Sequence, residues 1–169
     1  MNNQFALSNA QLLEIANDLK SKIETGLQED GTEIKCLPTY IHPKKDGITG
    51  EATVFDLGGT NFRAAVVSVG EETKITGMAE KDITEMKTAG FTETDLYNSE
   101  AEAIVQLKLP ANSSIGYCFS YPAKPMLNGD AELIVWTKGV NISGMAGKPI
   151  GAPMVKFLND TLNAGFNGK

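Results

Sequence analysis

The chain has 169 residues, 41% of them hydrophobic, which fits a single globular domain or one lobe with a helical extension. Its formal net charge of −6 argues against nucleic acid or an anionic membrane as a partner, because both demand an excess of Lys and Arg. The sequence has neither an apolar run of membrane-spanning length nor a basic segment preceding an apolar N-terminal stretch. We therefore expect a cytoplasmic protein.

Cysteine and histidine offer little chemistry in this sequence. Cys36 and Cys118 are far apart and lack the spacing of metal ligands, and Cys118 falls in a segment predicted to be a buried strand. Both are expected to be reduced structural thiols. His42 is the only histidine, so a zinc site or a histidine-based triad would lack its partners.

The N-terminal region predicts one helix. Ser8 followed by Gln11 is a capping-box pattern, and apolar residues recur at helical spacing over Asn9–Gly26. We expect this apolar stripe to pack in a core rather than to form a partner surface. Pro38 then begins an extended segment. We interpret residues 1–50 as the N-terminal helix and extended segment, and residues 51–169 as the main domain.

Three consecutive strands and a glycine turn follow. Apolar and β-branched runs predict strands at Ala52–Asp56, Phe62–Val69 and Lys74–Lys81. In the first turn, Gly58 and Gly59 permit positive φ and leave no Cβ between a polyanion and the backbone N–H groups.

The residues beside the glycines add polar groups to this turn. The Asp56 carboxylate can hold Mg²⁺ directly or through water, and Thr60 adds a hydroxyl. The turn suits a metal-bound nucleotide phosphate. An ordinary Gly-Gly hairpin is the alternative.

The rest of the chain alternates helices and strands. Periodicity predicts a helix at Thr94–Leu107 and strands at Ser114–Phe119 and Leu133–Trp136. A last helix is expected from Pro149 or Pro153 to about Asn163. The acidic cluster Glu93–Glu102 lies on a predicted helix face, so we expect solvated side chains there rather than a paired-carboxylate site.

Four motifs in register carry a family resemblance. The segment Thr53–Val69 resembles the first phosphate-binding hairpin of the sugar-kinase, actin and heat-shock ATPase superfamily. Leu37–Tyr40, Gly116–Pro122 and Ile134–Gly139 resemble the Leu-Pro-Thr-aromatic element, the sugar-loop signature and the Trp-Thr-Lys-Gly segment of hexokinases. Order and approximate spacing agree from about Asn9 to the C-terminus. The resemblance implies an α/β, ribonuclease H-like small lobe of the actin-like ATPase superfamily, with an N-terminal helix.

The resemblance also implies residue roles. ATP and Mg²⁺ are the expected cofactors, and the phosphate cradle falls on Asp56, Gly58, Gly59, Thr60, Asn61 and Arg63. Asp56 would position a magnesium-bound water. Arg63 could neutralise phosphate charge or could equally pair with a carboxylate. Ser120, Thr137 and Lys138 would bind the hexose, and Lys138 would also stabilise charge on the transferring phosphoryl group.

A catalytic base is the part of the family pattern that the sequence does not supply. Hexokinases use the aspartate of an Asn-Asp-Thr motif, and Asn159-Asp160-Thr161 resembles it. However, the family motif follows a buried strand, whereas Asn159 follows a segment with helical spacing. We expect Asp160 to be a solvated helix residue, the general base to be absent, and a large lobe holding it to be missing from this chain.

The resemblance implies transfer of the ATP γ-phosphoryl group to the 6-hydroxyl of glucose or a similar hexose, the first step of glycolysis. The 169-residue chain is expected to be inactive alone. Two alternatives stay open. One is another ATP-binding member of the actin-like superfamily, and the other is a non-catalytic nucleotide- or sugar-binding regulatory lobe.

Overall fold

The computed structural model describes residues 6–36 and 47–167. Contacts divide the chain into two compact units, Met1–Thr39 and Tyr40–Lys169, and each is described by itself. The Leu37–Tyr40 motif and His42 lie outside the described residues.

The first unit contains the predicted helix, α1, at Asn9–Gly26. The capping box is formed: Ser8 Oγ accepts from the N–H of Gln11, and the Ser8 N–H donates to Gln11 Oε1 at 2.9 Å. The expected core packing of the apolar stripe is wrong for the described residues, since no residue of α1 is buried. Residues 6–36 contain no second helix or strand against which the stripe could pack.

The second unit is built on a four-stranded sheet with the order β3-β2-β1-β4. The predicted meander is confirmed: β1 (Gly50–Leu57), β2 (Asn61–Val69) and β3 (Lys74–Asp82) pair antiparallel. The fourth strand, β4 (Ile115–Phe119), runs parallel to β1. This order brings the end of β4 beside the β1–β2 turn, because Leu57 and Phe119 are register partners.

Two helices cover one face of the sheet. A 3₁₀ turn at Thr84–Lys87 leads to α2 (Glu93–Ile104), and α3 (Gly151–Leu162) packs against α2. The core lies between these helices and the inward side chains of the strands, which alternate with outward ones because strand side chains have a period of two. The largest fully buried apolar side chains of this unit are Phe55, Phe62, Leu57, Ile83, Met86, Leu96, Ile104, Leu133, Ile142, Met154 and Leu158.

A short antiparallel ribbon joins the sheet to α3. Its strands are β5 (Ala123–Pro125) and β6 (Ala131–Leu133), so the strand predicted at Leu133–Trp136 is wrong in position. Ile134 and Val135 are exposed, and the chain leaves the ribbon there.

Cys118 is exposed, which contradicts the predicted buried strand. In β4 the inward positions are Tyr117 and Phe119, and Gly116 and Cys118 occupy the opposite, exposed face of the sheet. A short apolar run suggests burial on both faces, whereas the helices α2 and α3 cover only one.

No helix in the described residues is long and apolar enough to cross a membrane.

Glu100 is fully buried, so the expectation of a wholly solvated acidic cluster is wrong at this position. Its Oε1 accepts a hydrogen bond of 2.6 Å from the Tyr117 hydroxyl, and its Oε2 has no hydrogen-bond partner among the residues that the structure describes. Burial raises the pKa of Glu100 to about 8, because the charged form loses its hydration, and the Tyr117 hydrogen bond opposes this only partly.

Candidate functional site

The β1–β2 turn presents free backbone donors. It is closed by the Gly58 N–H, which donates to Asn61 O at 3.0 Å, and by the Ile83 N–H, which donates to Thr60 O at 2.7 Å. Within residues 6–36 and 47–167, the N–H groups of Gly59 and Thr60 donate no hydrogen bond. Adjacent unpaired N–H groups in a turn can receive the oxygens of an anion.

Positive φ is not the reason for the glycines of this turn, and the structure shows a further steric role for Gly59. Neither Gly58 nor Gly59 has a positive φ. Instead, a Cβ on Gly59 would lie 3.0 Å from Cδ and 3.3 Å from Cβ of Lys138. Gly59 therefore allows the Lys138 side chain to lie directly against the turn.

Lys138 joins the turn to the loop that follows β4. Its ammonium donates to the main-chain oxygen of Ser120 at 2.7 Å and lies 5.0 Å from the centroid of the Tyr121 ring. Its backbone is left-handed, with a φ of 57°, which costs a non-glycine residue on the order of 1 kcal/mol. The Trp136 indole N–H stabilises the segment after β6 that carries Lys138, because it donates to Ile142 O at 3.1 Å.

Tyr121 is a residue of this site for which the sequence analysis predicts no individual role. Its hydroxyl donates to Gly58 O at 2.9 Å, and its ring packs edge-on against Trp136 at 4.6 Å. The side chain is buried, which raises the pKa of the hydroxyl. The sequence does contain one signal for this role. A tyrosine stands between Ser120 and Pro122, where phenylalanine would pack equally well in an apolar loop, so the extra hydroxyl suggests a hydrogen bond.

A row of charges crosses the open face of the sheet beside the turn. Asp56, Arg63 and Glu80 are consecutive register partners on β1, β2 and β3. The guanidinium lies 3.5 Å from Asp56 Oδ2 and 3.0 Å from Glu80 Oε1, and all three side chains are about half exposed. Of the two alternatives for Arg63, pairing with carboxylates is the one observed.

The other predicted contacts lie at the same end of the sheet. The Ser120 N–H donates to Leu57 O at 3.2 Å, which holds Ser120 beside the turn. Thr137 O accepts from the Val140 N–H at 3.0 Å. In the described part of the chain, the side-chain hydroxyls of Ser120 and Thr137 make no hydrogen bond and could serve a ligand. Asn61 completes the turn through its main-chain oxygen.

The Asn159-Asp160-Thr161 segment lies inside α3, as predicted. The Asp160 carboxylate is exposed and pairs with Lys156 one turn earlier. The Asn159 side chain makes two hydrogen bonds with the backbone of Phe166: its Nδ2 donates to Phe166 O at 3.0 Å, and its Oδ1 accepts from the Phe166 N–H at 2.7 Å. Both residues therefore make local structural contacts.

A cavity of about 300 Å³ lies elsewhere, between β4, the β5–β6 ribbon and the start of α3. None of the predicted phosphate or sugar residues lines it. The candidate site is instead an open surface at the end of β1 and β4. An open surface carries free donors and hydroxyls, but it does not enclose a ligand.

Comparison with solved structures confirms the predicted α/β fold of the actin-like ATPase superfamily. A hexokinase of Schistosoma mansoni, solved in complex with glucose, is similar with a TM-score of 0.75 and 27% identity, over 92% of this chain and 37% of that one. A second hexokinase crystal structure is similar with a TM-score of 0.70 and 18% identity, over 95% of this chain and 41% of that one.

Sequence comparison gives the same family. Rat hexokinase-3 is 32% identical over 86% of this chain, and human hexokinase-2 is 32% identical over 90%. Fission yeast hexokinase-1 is 31% identical over 88% of the chain. The chain spans 16%, 18% and 32% of the lengths of these three relatives. The hexokinase family model matches residues 1–164, and the chain therefore belongs to the hexokinase family.

Proposed function

We propose that this chain supplies the phosphate-binding turn and part of the sugar site of an ATP-dependent hexokinase. The complete enzyme would transfer the γ-phosphoryl group of ATP to the 6-hydroxyl of glucose or a similar hexose. Residues 51–169 would be its small lobe. The observation that carries the proposal is the position of Lys138, which contacts the Gly59 turn and the Ser120 main chain together.

That position supports the proposal because phosphoryl transfer depends on placement and on charge stabilisation. A cation between a phosphate-binding turn and a hydroxyl-binding loop lies where charge develops on the transferring group. The left-handed backbone of Lys138 agrees with this interpretation, since unfavourable φ values persist mainly where the surrounding structure holds a functional residue in place.

The residues present fit a nucleotide phosphate. Gly59 and Thr60 offer two unpaired N–H groups, and the half-exposed Asp56 carboxylate lies beside them. Among the described residues, no group of three or more His, Cys, Asp or Glu could hold a metal ion by itself. Mg²⁺ binds commonly through one carboxylate, waters and phosphate oxygens, and when bound it would neutralise charge on the phosphates.

The hexose would be bound by short polar side chains. Ser120 and Thr137 would exchange hydrogen bonds with sugar hydroxyls, and the Lys138 ammonium would donate to another. Such a site rejects an apolar mimic, because its polar groups would then be buried without partners. Lys138 would change partner on binding, from Ser120 O to the ligand.

The isolated 169-residue chain would bind its ligands weakly and would not turn over. Asp160 is exposed on α3 and pairs with Lys156, so we do not expect it to be the general base that accepts a proton from a sugar hydroxyl. The remaining wall of the cleft and the general base would come from a large lobe. A coupled assay that detects glucose 6-phosphate formed by the purified chain at enzymatic rates would overturn this part of the proposal.

Amide NMR tests the binding roles directly. Titration with Mg²⁺–ATP should shift the Gly58, Gly59 and Thr60 amides, and titration with glucose should shift those of Ser120 and Thr137. We expect dissociation constants weaker than about 1 mM for an open half-site.

The test has a matched control and two informative alternatives. Lys148→Met removes an exposed ammonium from outside the site and should change nothing, whereas Lys138→Met should weaken both responses. Micromolar binding of either ligand would favour the regulatory lobe. No response to either ligand at concentrations of several times 1 mM would overturn the proposal.

A further inference from the structure

The Tyr121 hydroxyl is held in a fixed place. Its ring packs against Phe119 at 5.2 Å and against Trp136 at 4.6 Å, and the side chain is only 5% exposed. A ring confined on two sides cannot move its hydroxyl without repacking its neighbours. The 2.9 Å hydrogen bond to Gly58 O is therefore a rigid link between residues 63 positions apart.

The acceptor of that bond belongs to the peptide unit between Gly58 and Gly59. This unit is planar and trans, so its C=O and its N–H point in opposite directions. Fixing Gly58 O toward Tyr121 therefore directs the Gly59 N–H away from Tyr121. A peptide between two glycines would otherwise rotate readily, because neither residue has a Cβ to restrict φ and ψ.

Of the hydrogen bonds of the turn, the one that holds the Gly58–Gly59 peptide comes from Tyr121. The Gly58 N–H and Thr60 O are bound by Asn61 and Ile83. In the part of the chain that the structure describes, Gly58 O has Tyr121 as its hydrogen-bond donor, and the Gly59 N–H has no acceptor. A tyrosine hydroxyl is protonated at neutral pH, and burial raises the pKa of Tyr121 further, so this group remains a donor.

We infer that Tyr121 is a positioning residue that orients the Gly58–Gly59 peptide, so that the Gly59 N–H is preset to receive a phosphate oxygen. The inference rests on the proposed phosphate-binding function of the turn. The same ring lies under the Lys138 ammonium at 5.0 Å. Tyr121 thereby sets two donors of the site, one through its hydroxyl and one through its ring face.

Tyr121→Phe tests the inference, because it keeps the ring and its contact with Lys138 and removes only the hydroxyl. The matched control is Tyr97→Phe. Tyr97 is also 5% exposed, and its hydroxyl donates to Glu93 Oε1 at 2.8 Å, outside the turn. In the ligand-free chain, Tyr121→Phe should shift the Gly59 amide resonance and broaden it by exchange between two peptide orientations. Tyr97→Phe should leave that resonance unchanged.

Titration with Mg²⁺–ATP gives the second measurement. Tyr121→Phe should raise the dissociation constant about three- to tenfold, since part of the population then presents the wrong peptide orientation. An unchanged Gly59 amide in Tyr121→Phe, or a changed amide with unchanged affinity, would overturn the inference. If the wild-type turn does not respond to Mg²⁺–ATP, the proposed function fails instead, and the ligand-free spectra still decide whether Tyr121 orients the peptide.

Discussion

Lys138 lies across Gly59 so closely that a Cβ on Gly59 would be 3.0 Å from the Lys138 Cδ. The contact joins two segments that are 79 positions apart in sequence. It also holds the ammonium above the Tyr121 ring and beside Ser120 O. The Lys138 ammonium can therefore occupy this position only because residue 59 has no side chain.

Gly59→Ala should displace the Lys138 side chain without unfolding the chain. The added methyl group restricts the unfolded state, which offsets the cost of moving a flexible side chain, so the free energy of unfolding should change by less than about 1 kcal/mol. The ε-methylene protons of Lys138 should lose the upfield ring-current shift that the Tyr121 ring gives them. Two-dimensional NMR of the lysine methylenes measures this shift.

Gly70→Ala is the control for this substitution. Gly70 lies in the β2–β3 turn, and its nearest added contact is at 4.0 Å, so the lysine spectrum should stay as in the wild type. An unchanged Lys138 signal in Gly59→Ala would show that the two residues do not restrict each other.

Glu100 should make stability depend on pH. Its pKa is about 8 in the folded chain against 4.5 as the ordinary value. Between these values the folded chain holds a proton that the unfolded chain has released, so stability falls as pH rises toward 8. The free energy of unfolding should fall by about 1 kcal/mol per pH unit over much of this range.

Glu100→Gln should remove that dependence, because the amide does not titrate in this range and still accepts from the Tyr117 hydroxyl. Urea denaturation at pH 5.5, 7 and 8.5 measures how steeply the free energy of unfolding falls with pH in the wild type and in Glu100→Gln. Glu102→Gln is the control, since Glu102 is an exposed carboxylate of the same helix that pairs with Lys81. An equal fall in the free energy of unfolding with pH for the wild type and Glu100→Gln would contradict the prediction.

Much of the fold could be predicted because its signals are local. Apolar and β-branched runs located β1, β2 and β3, and the capping box of Ser8 and Gln11 located the start of α1. The phosphate and sugar residues could be named from motifs, and the structure brings Gly59, Ser120 and Lys138 together.

What the sequence could not predict depends on contacts between distant segments. The burial of Glu100 follows from its place beneath Tyr117, and helix periodicity alone does not distinguish it from the exposed Glu102. The exposure of Cys118 follows from a sheet covered on one side only. The link from Tyr121 to Gly58 requires a parallel pairing of β4 with β1 that no local pattern encodes.

Asp130→Ala should weaken the start of α3. The Asp130 carboxylate accepts from the N–H groups of Gly151 and Ala152 at 2.7 and 2.9 Å, although it lies 21 positions before the helix. Its loss leaves two helix donors unpaired and removes a negative charge from the positive end of the helix, so stability should fall by about 1–2 kcal/mol.

Asp160→Ala is the matched control on the same helix, and thermal and urea unfolding of both variants provide the measurement. Among the described residues Asp160 pairs with the exposed Lys156 alone, so its removal should cost no more than about 0.5 kcal/mol. Equal losses for Asp130→Ala and Asp160→Ala would contradict the assigned capping role.

Arg63→Met should expose the repulsion between Asp56 and Glu80, which now share one guanidinium across the sheet. These groups are about half exposed, so we expect a loss of about 1 kcal/mol or less in low salt, and a smaller loss in about 0.5 M salt, where exposed charges are screened. Lys74→Met, which removes a more exposed pair with Glu72, should show a weaker effect. A loss that does not depend on salt would mean that Arg63 acts through the packing of its aliphatic stem.

The same variant also tests the other alternative for Arg63. A larger effect on Mg²⁺–ATP affinity than on stability would favour the role in neutralising phosphate charge.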